Sequence, residues 1–511
     1  MRWTRSIIAL AIAALLALAF RSLRSPEAEA GPSRRPFLAE GMLDPERVDR
    51  IELVREGRRT VFERTGDADD ALWMQVEPVV HAADGWAVRQ LLGRLLKAES
   101  VRRVEGVSSE KGANEKGANE EGAARALADA GLAPPVATLR LRERASDGRP
   151  GREVVVELGR RSLAGRAFAR LASGDRGADG RDGYDVVDSA LHEFALERDL
   201  RDFRRRELFP DLERLASGSD GGIGRITFES GGRKVVLARS KAGFRLESPV
   251  ATRADRQQAE ELVDALRRAK SAGFIVDEPR EPSVYGLEPP AARIEIESAA
   301  TGVDGGAGGA NLRRALRIGD AVSIGAQDRF GLVEGTSSVV RIPAAELAAC
   351  IPRVERLIDA VATGVRPRDV ARIEIALGPT GSDPASPRAR IELVREVDGW
   401  TATRSSDGSG APPVSSPVSG PVSAEAVDRL LATLGETRAG SVELAAFPEA
   451  LRVAEVTLRG FAGEPLDTVR IARRDGGQTL LENGDGVLRV HGSIDLPLTA
   501  SELGFVPKPA R

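Results

Sequence analysis

The residues with the most chemical capacity are three histidines, one cysteine and a run of aspartates. His81, His192 and His491 lie far apart, and none has a second His, Cys or paired carboxylate at zinc-ligand spacing. Each reads as a surface or capping residue. Between residues 174 and 188, Asp175, Asp179, Asp182, Asp185 and Asp188 fall among glycines. Clustered carboxylates suit a hard cation such as calcium, but the alternating ligand positions and closing Glu of an EF-hand loop are missing. A solvated hairpin loop is the expectation. Cys350 sits in an Ala-rich helix signal without a basic or His neighbour, so it reads as a buried, inert thiol. No G-x-S-x-G elbow, phosphate-binding loop or H-E-x-x-H motif occurs, and the Gly-rich stretch 301–310 reads as a hairpin tip. A hydrolase built on dispersed carboxylates stays open, but no pair stands out. The expectation is a non-enzyme with no catalytic, cofactor-binding or metal-binding residues and no cofactor.

Composition narrows the classes further. The chain has 511 residues, 41% hydrophobic content and a formal charge of −3, so it is globular and lacks the electrostatic footprint of a nucleic-acid binder. Aromatics make up only 4%, which predicts Leu, Val, Ala and Ile cores. The basic run 201–207 is interleaved with acids and reads as a solvated helical connector.

The elements that would position any site are written as a repeat. In residues 73–97 an aromatic strand end, Trp73, is followed by Pro78, then Asp84, then an amphipathic helix. Residues 244–269 repeat this with Phe244, Pro249 and Asp255, and residues 400–435 do so more loosely with Trp400 and Ser423. Asp84, Asp255 and Ser423 are good helix N-caps, since a side-chain oxygen accepts from a free N–H of the first turn. The apolar positions after them, such as Val88, Leu91, Leu92 and Leu95, follow the i, i+3, i+4, i+7 pattern of a helix burying one face. The aromatic anchors read as core. Trp86 has no aromatic counterpart and is a candidate interface residue.

Upstream of each helix unit lies an alternating strand, Val48 to Leu53, Ile223 to Phe228 and Val370 to Ile375. In copy one further strands are expected over 58–64, 71–76, 136–143, 152–158 and 165–172. Short closing helices are expected at 188–192, 343–347 and 499–503, the last as a capping box of Thr499 and Glu502. The tandem pentapeptide at 110–123 reads as a surface-loop expansion, and 405–421 as a disordered loop.

At the N-terminus, Arg2 and Arg5 precede an apolar run from Ile7 to Phe20, with Arg21 and Arg24 after it. A spanning helix wants about 17–25 residues, and snorkelling arginines lengthen a short one. An uncleaved anchor is expected; the alternative is a signal cleaved after Ala28-Glu-Ala30. The predicted organisation is α+β: residues 1–30 as a hydrophobic helix, 31–46 as a linker, and three tandem similar domains at 47–210, 211–365 and 366–511. Each domain is an antiparallel-rich sheet with one main packed helix.

The chain resembles the bacterial domain-of-unknown-function family numbered 4340. The resemblance rests on the N-terminal hydrophobic segment and the Val-x-Arg-Ile-x-Leu strand. It rests also on the unit from Trp73 and Pro78 to Asp84, Val88, Leu91 and Leu92, and on Tyr285-Gly-Leu-x-Pro-Pro290 followed by Ile318-Gly319. Copy three departs from it in lacking the Gly-Leu-x-Pro step. The resemblance implies a single-pass cell-membrane protein with its bulk extracytoplasmic (periplasmic), serving as an envelope scaffold or accessory component of an ABC transport system. The implied partners are an ABC transporter or envelope proteins, with the membrane reached through the N-terminal helix. The alternative is a polysaccharide- or lipid-binding module using clefts between the repeats.

Overall fold

A computed structural model describes residues 34–506, apart from 66–71, 106–115, 146–150, 163–164, 174–182, 211, 213–221, 242, 300–312, 379–387 and 408–417. The chain divides into two compact units, Met1–Arg206 and Glu207–Arg511. The first holds one antiparallel sheet and the second holds two.

The first sheet contains β1 (Arg35–Pro36), β2 (Val48–Arg55), β3 (Arg58–Thr65), β4 (Leu72–Glu77), β5 (His81–Ala82), β6 (Glu99–Glu105), β7 (Ala137–Glu143), β8 (Glu153–Ser162), β9 (Arg166–Ser173) and β10 (Gly183–Asp188). Helix α1 (Gly85–Leu96) lies between β5 and β6, and α2 (Lys116–Asp129) between β6 and β7. The strands run in the order β1-β6-β10-β9-β8-β7-β2-β3-β4-β5. Val48, Ile51 and Leu53 turn one face of β2 inward, and the α1 stripe of Val88, Leu91, Leu92 and Leu95 packs into the same core.

The second sheet contains β11 (Ile223–Ser230), β12 (Arg233–Ser240), β13 (Gly243–Ser248), β14 (Thr252–Arg253), β15 (Gly273–Asp277), β16 (Ala292–Ser298), β17 (Arg313–Ala321), β18 (Arg329–Val333) and β19 (Ser338–Ile342), with helices α3 (Arg256–Arg268) and α4 (Ala344–Cys350). The third contains β20 (Arg372–Leu377), β21 (Arg388–Glu396), β22 (Gly399–Asp407), β23 (Val418–Pro421), β24 (Ser441–Leu444), β25 (Arg452–Arg459), β26 (Pro465–Arg474), β27 (Gln478–Glu482) and β28 (Val487–His491), with helix α5 (Ala424–Gly435).

Set β1 aside and all three sheets have one strand order. A four-stranded meander runs outward from the centre, the main helix follows, and the fifth strand is laid at the far edge. Four more strands then run from the centre to meet it, β10 on β6, β19 on β15 and β28 on β24.

The helix starts are built alike. The Asp84 carboxylate accepts from the N–H groups of Trp86 and Ala87, Asp255 from that of Gln258, and the Ser423 hydroxyl from that of Ala426. The backbone N–H of each cap donates to a later carbonyl in its own repeat: Asp84 to Phe203 at 2.7 Å, Asp255 to Leu357 at 2.8 Å, and Ser423 to Leu503 at 2.9 Å. Phe203, Leu357 and Leu503 are buried, so each closing segment is pinned across the helix start.

The glycine that faces each Gly-Leu-x-Pro-Pro step has a steric basis. A Cβ on Gly319 would lie 2.0 Å from the Tyr285 carbonyl oxygen, and one on Gly159 would lie 2.3 Å from that of Ala130. The backbones meet too closely there for any side chain.

Several expectations change. Residues of the expected 31–46 linker form β1 and send Leu38 and Leu43 into the first core. The pentapeptide stretch is not all loop: α2 begins at Lys116, since its Ala, Glu and Lys are good helix formers, while 110–115 lie outside the described residues. Within the expected loop 405–421, Val418–Pro421 is a strand because Thr401 to Arg404 of β22 offer it a ladder. The capping box at 499–503 forms its hydrogen bonds, Thr499 N–H to Glu502 at 2.9 Å and Glu502 N–H to the Thr499 hydroxyl at 3.3 Å, but it closes a turn rather than a helix. Residues 1–33, including the expected hydrophobic helix, lie outside the described residues. Among those described, no helix is long and apolar enough to cross a membrane.

Candidate functional site

In the second unit a cleft of about 740 Å³ lies where the second and third repeats meet. Its walls come from the β13–β14 hairpin, the first turn of α3, Asp359 on the connector between repeats, Arg438 after α5, and Asn483 and Asp485 in the β27–β28 turn. Beside it the two repeats share apolar packing, since Val487 and Val442 of the third sheet pack in the core of the second.

Behind the cleft lies a polar network around Arg489, which is fully buried. Its Nη2 donates to Asp485 Oδ2 at 2.8 Å and its Nε to the Asp359 carbonyl at 3.0 Å. Asp485 Oδ2 also accepts from the Thr252 hydroxyl of β14 at 2.5 Å. Asp359 in turn accepts from Arg253 Nε at 3.2 Å, and Arg253 Nη2 reaches the Val361 carbonyl at 2.8 Å. A buried guanidinium this well paired offsets its desolvation and fixes the two repeats in register.

Asp255 is the second tie. Its carboxylate caps α3 and accepts from Arg438 of the third repeat. Burial pushes its pKa up, but the Arg438 hydrogen bond and the Gln258 N–H outweigh this and hold it below the ordinary value. The same hydrogen bond raises the Arg438 guanidinium. Asp255 is thereby kept ionised and engaged, which is the opposite of a carboxyl poised near neutrality for proton transfer.

The residues singled out by type do not converge here. His81 lies on the edge strand β5, its Nδ1 2.9 Å from the Ala82 carbonyl. His192 and His491 are buried, contrary to the surface or capping role expected of them. His192 Nε2 sits 2.9 Å from the Phe168 carbonyl, and burial lowers its pKa. His491 is lowered by burial and then by Arg489. Cys350 is buried, and burial pushes its thiol up to about 12. Asp185 accepts from Ser100 and Arg35, and Asp188 caps the turn at Ala190, both structural roles; Asp175, Asp179 and Asp182 lie outside the described residues. Among the described residues no group of three or more His, Cys, Asp or Glu could hold a metal ion. Trp73 and Trp400 are core residues, whereas Trp86 is 55% exposed. Arg204 of the basic run is buried against Gln75 instead of solvated, because the closing segment crosses the helix start there.

Thr252, Asp359, Arg438, Asp485 and Arg489 carried no signal of their own in the sequence. One was available for Arg489: β28 is buried at all five positions, so a charge in Val-Leu-Arg-Val-His had to find a partner inside.

No curated protein matches the chain. Residues 244–450, from β13 of the second repeat into the third, match the model of a family described as Domain of unknown function (DUF4340). Over that stretch the match supports the resemblance that the repeat motifs carry.

Proposed function

We propose that the chain is a non-enzymatic envelope protein, tethered to the cell membrane by its N-terminal hydrophobic segment with its bulk outside. It would serve as a scaffold or accessory component of an ABC transport system. The observation that carries this reading is the use made of the charged residues at the repeat junction. Buried Arg489, bonded to the Asp359 carbonyl, and the carboxylates of Asp255 and Asp485, which accept from Arg438 and Thr252, are engaged in holding two repeats together. A preset, rigid surface lowers the cost of docking a partner. The test is affinity purification of the full chain from crosslinked, detergent-solubilised membranes. Transporter or envelope subunits are the expected co-purifying proteins, and their absence would count against the reading.

A second reading is favoured by one observation. The cleft lies at a repeat junction, where a polysaccharide- or lipid-binding module would place its site. Binding of a glycan or lipid probe to the full chain, lost when the cleft is altered, is the discriminating result.

A further inference from the structure

The floor of the cleft carries a charge imbalance. Arg245 on β13 stands directly opposite Arg253 on β14 in the antiparallel ladder. Directly opposed residues place their Cβ atoms roughly 4.5–5.5 Å apart, and like charges there are unfavourable. Arg253 is fixed by Asp359 and by the Val361 carbonyl. The other carboxylates in the wall are also taken: Asp255 by Arg438, Asp485 by Arg489 and Glu260 by Arg256. Arg245 is exposed and is left over, with no carboxylate partner among the described residues. A planar oxyanion placed between the two guanidinium groups relieves their repulsion and accepts in a fork from Arg245, while Arg253, its Nε and Nη2 already engaged, supplies the second positive charge.

The rest of the lining selects what carries that oxyanion. Phe244, Ala251 and Ala254 are its apolar side chains, too small a surface for an acyl chain. The polar remainder and the volume of about 740 Å³ suit a hydroxyl-rich body of a few rings. We propose that the cleft binds the acidic residue of an anionic glycan, with Arg245 and Arg253 gripping its carboxylate. This deepens the second reading above and rests on it.

The experiment is calorimetric titration of the full chain with trigalacturonate, with its methyl ester, with inorganic phosphate and with phosphatidylglycerol vesicles. The acid form is expected to bind, more weakly as salt is added, and the ester and vesicles are not. Arg245→Glu and Arg245→Ala are each expected to weaken binding at least about tenfold, since a charge-assisted hydrogen bond is lost. Arg89→Glu, at an exposed position of α1, is the control expected to change nothing. An unchanged urea midpoint would show that the Arg245 variants stay folded. Equal binding of acid and ester would overturn the oxyanion assignment while leaving the cleft a glycan site. Vesicle or phosphate binding without glycan binding, or acid binding indifferent to Arg245, would overturn the proposal, and no binding by any probe would remove both it and the reading beneath it.

Discussion

Arg438 donates to the carboxylate of Asp255, 183 residues away, and that same carboxylate caps helix α3. One side chain therefore serves local and inter-repeat structure at once. Ser423, which caps α5, serves only the first purpose among the contacts described for it. Ser423→Ala is expected to cost about 1 kcal/mol of stability, the usual loss for a cap. Asp255→Ala should reach the upper end for caps, about 2 kcal/mol. The ion pair adds little, because the Arg438 side chain is 61% exposed and screened. Urea unfolding of the two variants under identical conditions compares them.

Asp255 also predicts a pH dependence. Its folded pKa lies below the ordinary 3.8, so the folded state favours the ionised form. The stability this contributes is fully present above the unfolded pKa and is lost as pH falls through the folded one. The gap in urea midpoint between the native chain and Asp255→Asn should be constant near neutrality and narrow below about pH 4. A gap that widens on acidification would contradict the assignment.

Arg489 and Asp485 form a buried pair, and removing one member strands the other. Arg489→Met is expected to destabilise the second unit by about 3–5 kcal/mol, with Asp485 left uncompensated. Because the pair is hydrogen-bonded to Thr252 and to the Asp359 carbonyl of the second repeat, the connector around residues 359–363 should become the first site of proteolytic cleavage. Unchanged protection there would show that the apolar packing alone holds the repeats together.

Two glycines should respond in opposite directions to the same substitution. Gly319→Ala forces a Cβ against the Tyr285 carbonyl and should cost about 1–3 kcal/mol, as overpacking does. Gly93 lies inside α1 with nothing within 4 Å of an added Cβ, so Gly93→Ala should stabilise by about 0.5–1 kcal/mol. Thermal unfolding of both variants checks the sign.

The Cys350 thiol, pushed up to about 12, should not react with a thiol-disulfide reagent in the native chain at neutral pH. Labelling should appear only with unfolding, so its rate in increasing urea reports the opening of the second repeat.

Much of the architecture was legible because it is written locally. The Asp84, Asp255 and Ser423 caps and the apolar stripes behind them need only neighbours within two turns, and all three head equivalent helices. The alternation in Val48 to Leu53 likewise states which face is buried. Copy three shows the limit of motif reading, since it lacks the Gly-Leu-x-Pro step yet has the same strand order. What stayed hidden is non-local. Nothing around Thr252 announces that Asp485 will accept from it, and nothing around His192 announces burial under Phe168. Residues 31–46 show no core signal in the sequence because two buried leucines, Leu38 and Leu43, are too few to show a period.

The fifth strand of each repeat has a consequence for biosynthesis. β6 ends at Glu105, but its neighbour β10 begins only at Gly183; β15 and β24 likewise wait for β19 and β28. A nascent chain emerging N-terminus first therefore carries an unzipped backbone edge until the final strand of that repeat arrives. Premature termination anywhere in the interval would leave this edge bare, and bare edges recruit other chains. Cells producing the protein would be expected to tolerate stops between repeats better than stops inside them.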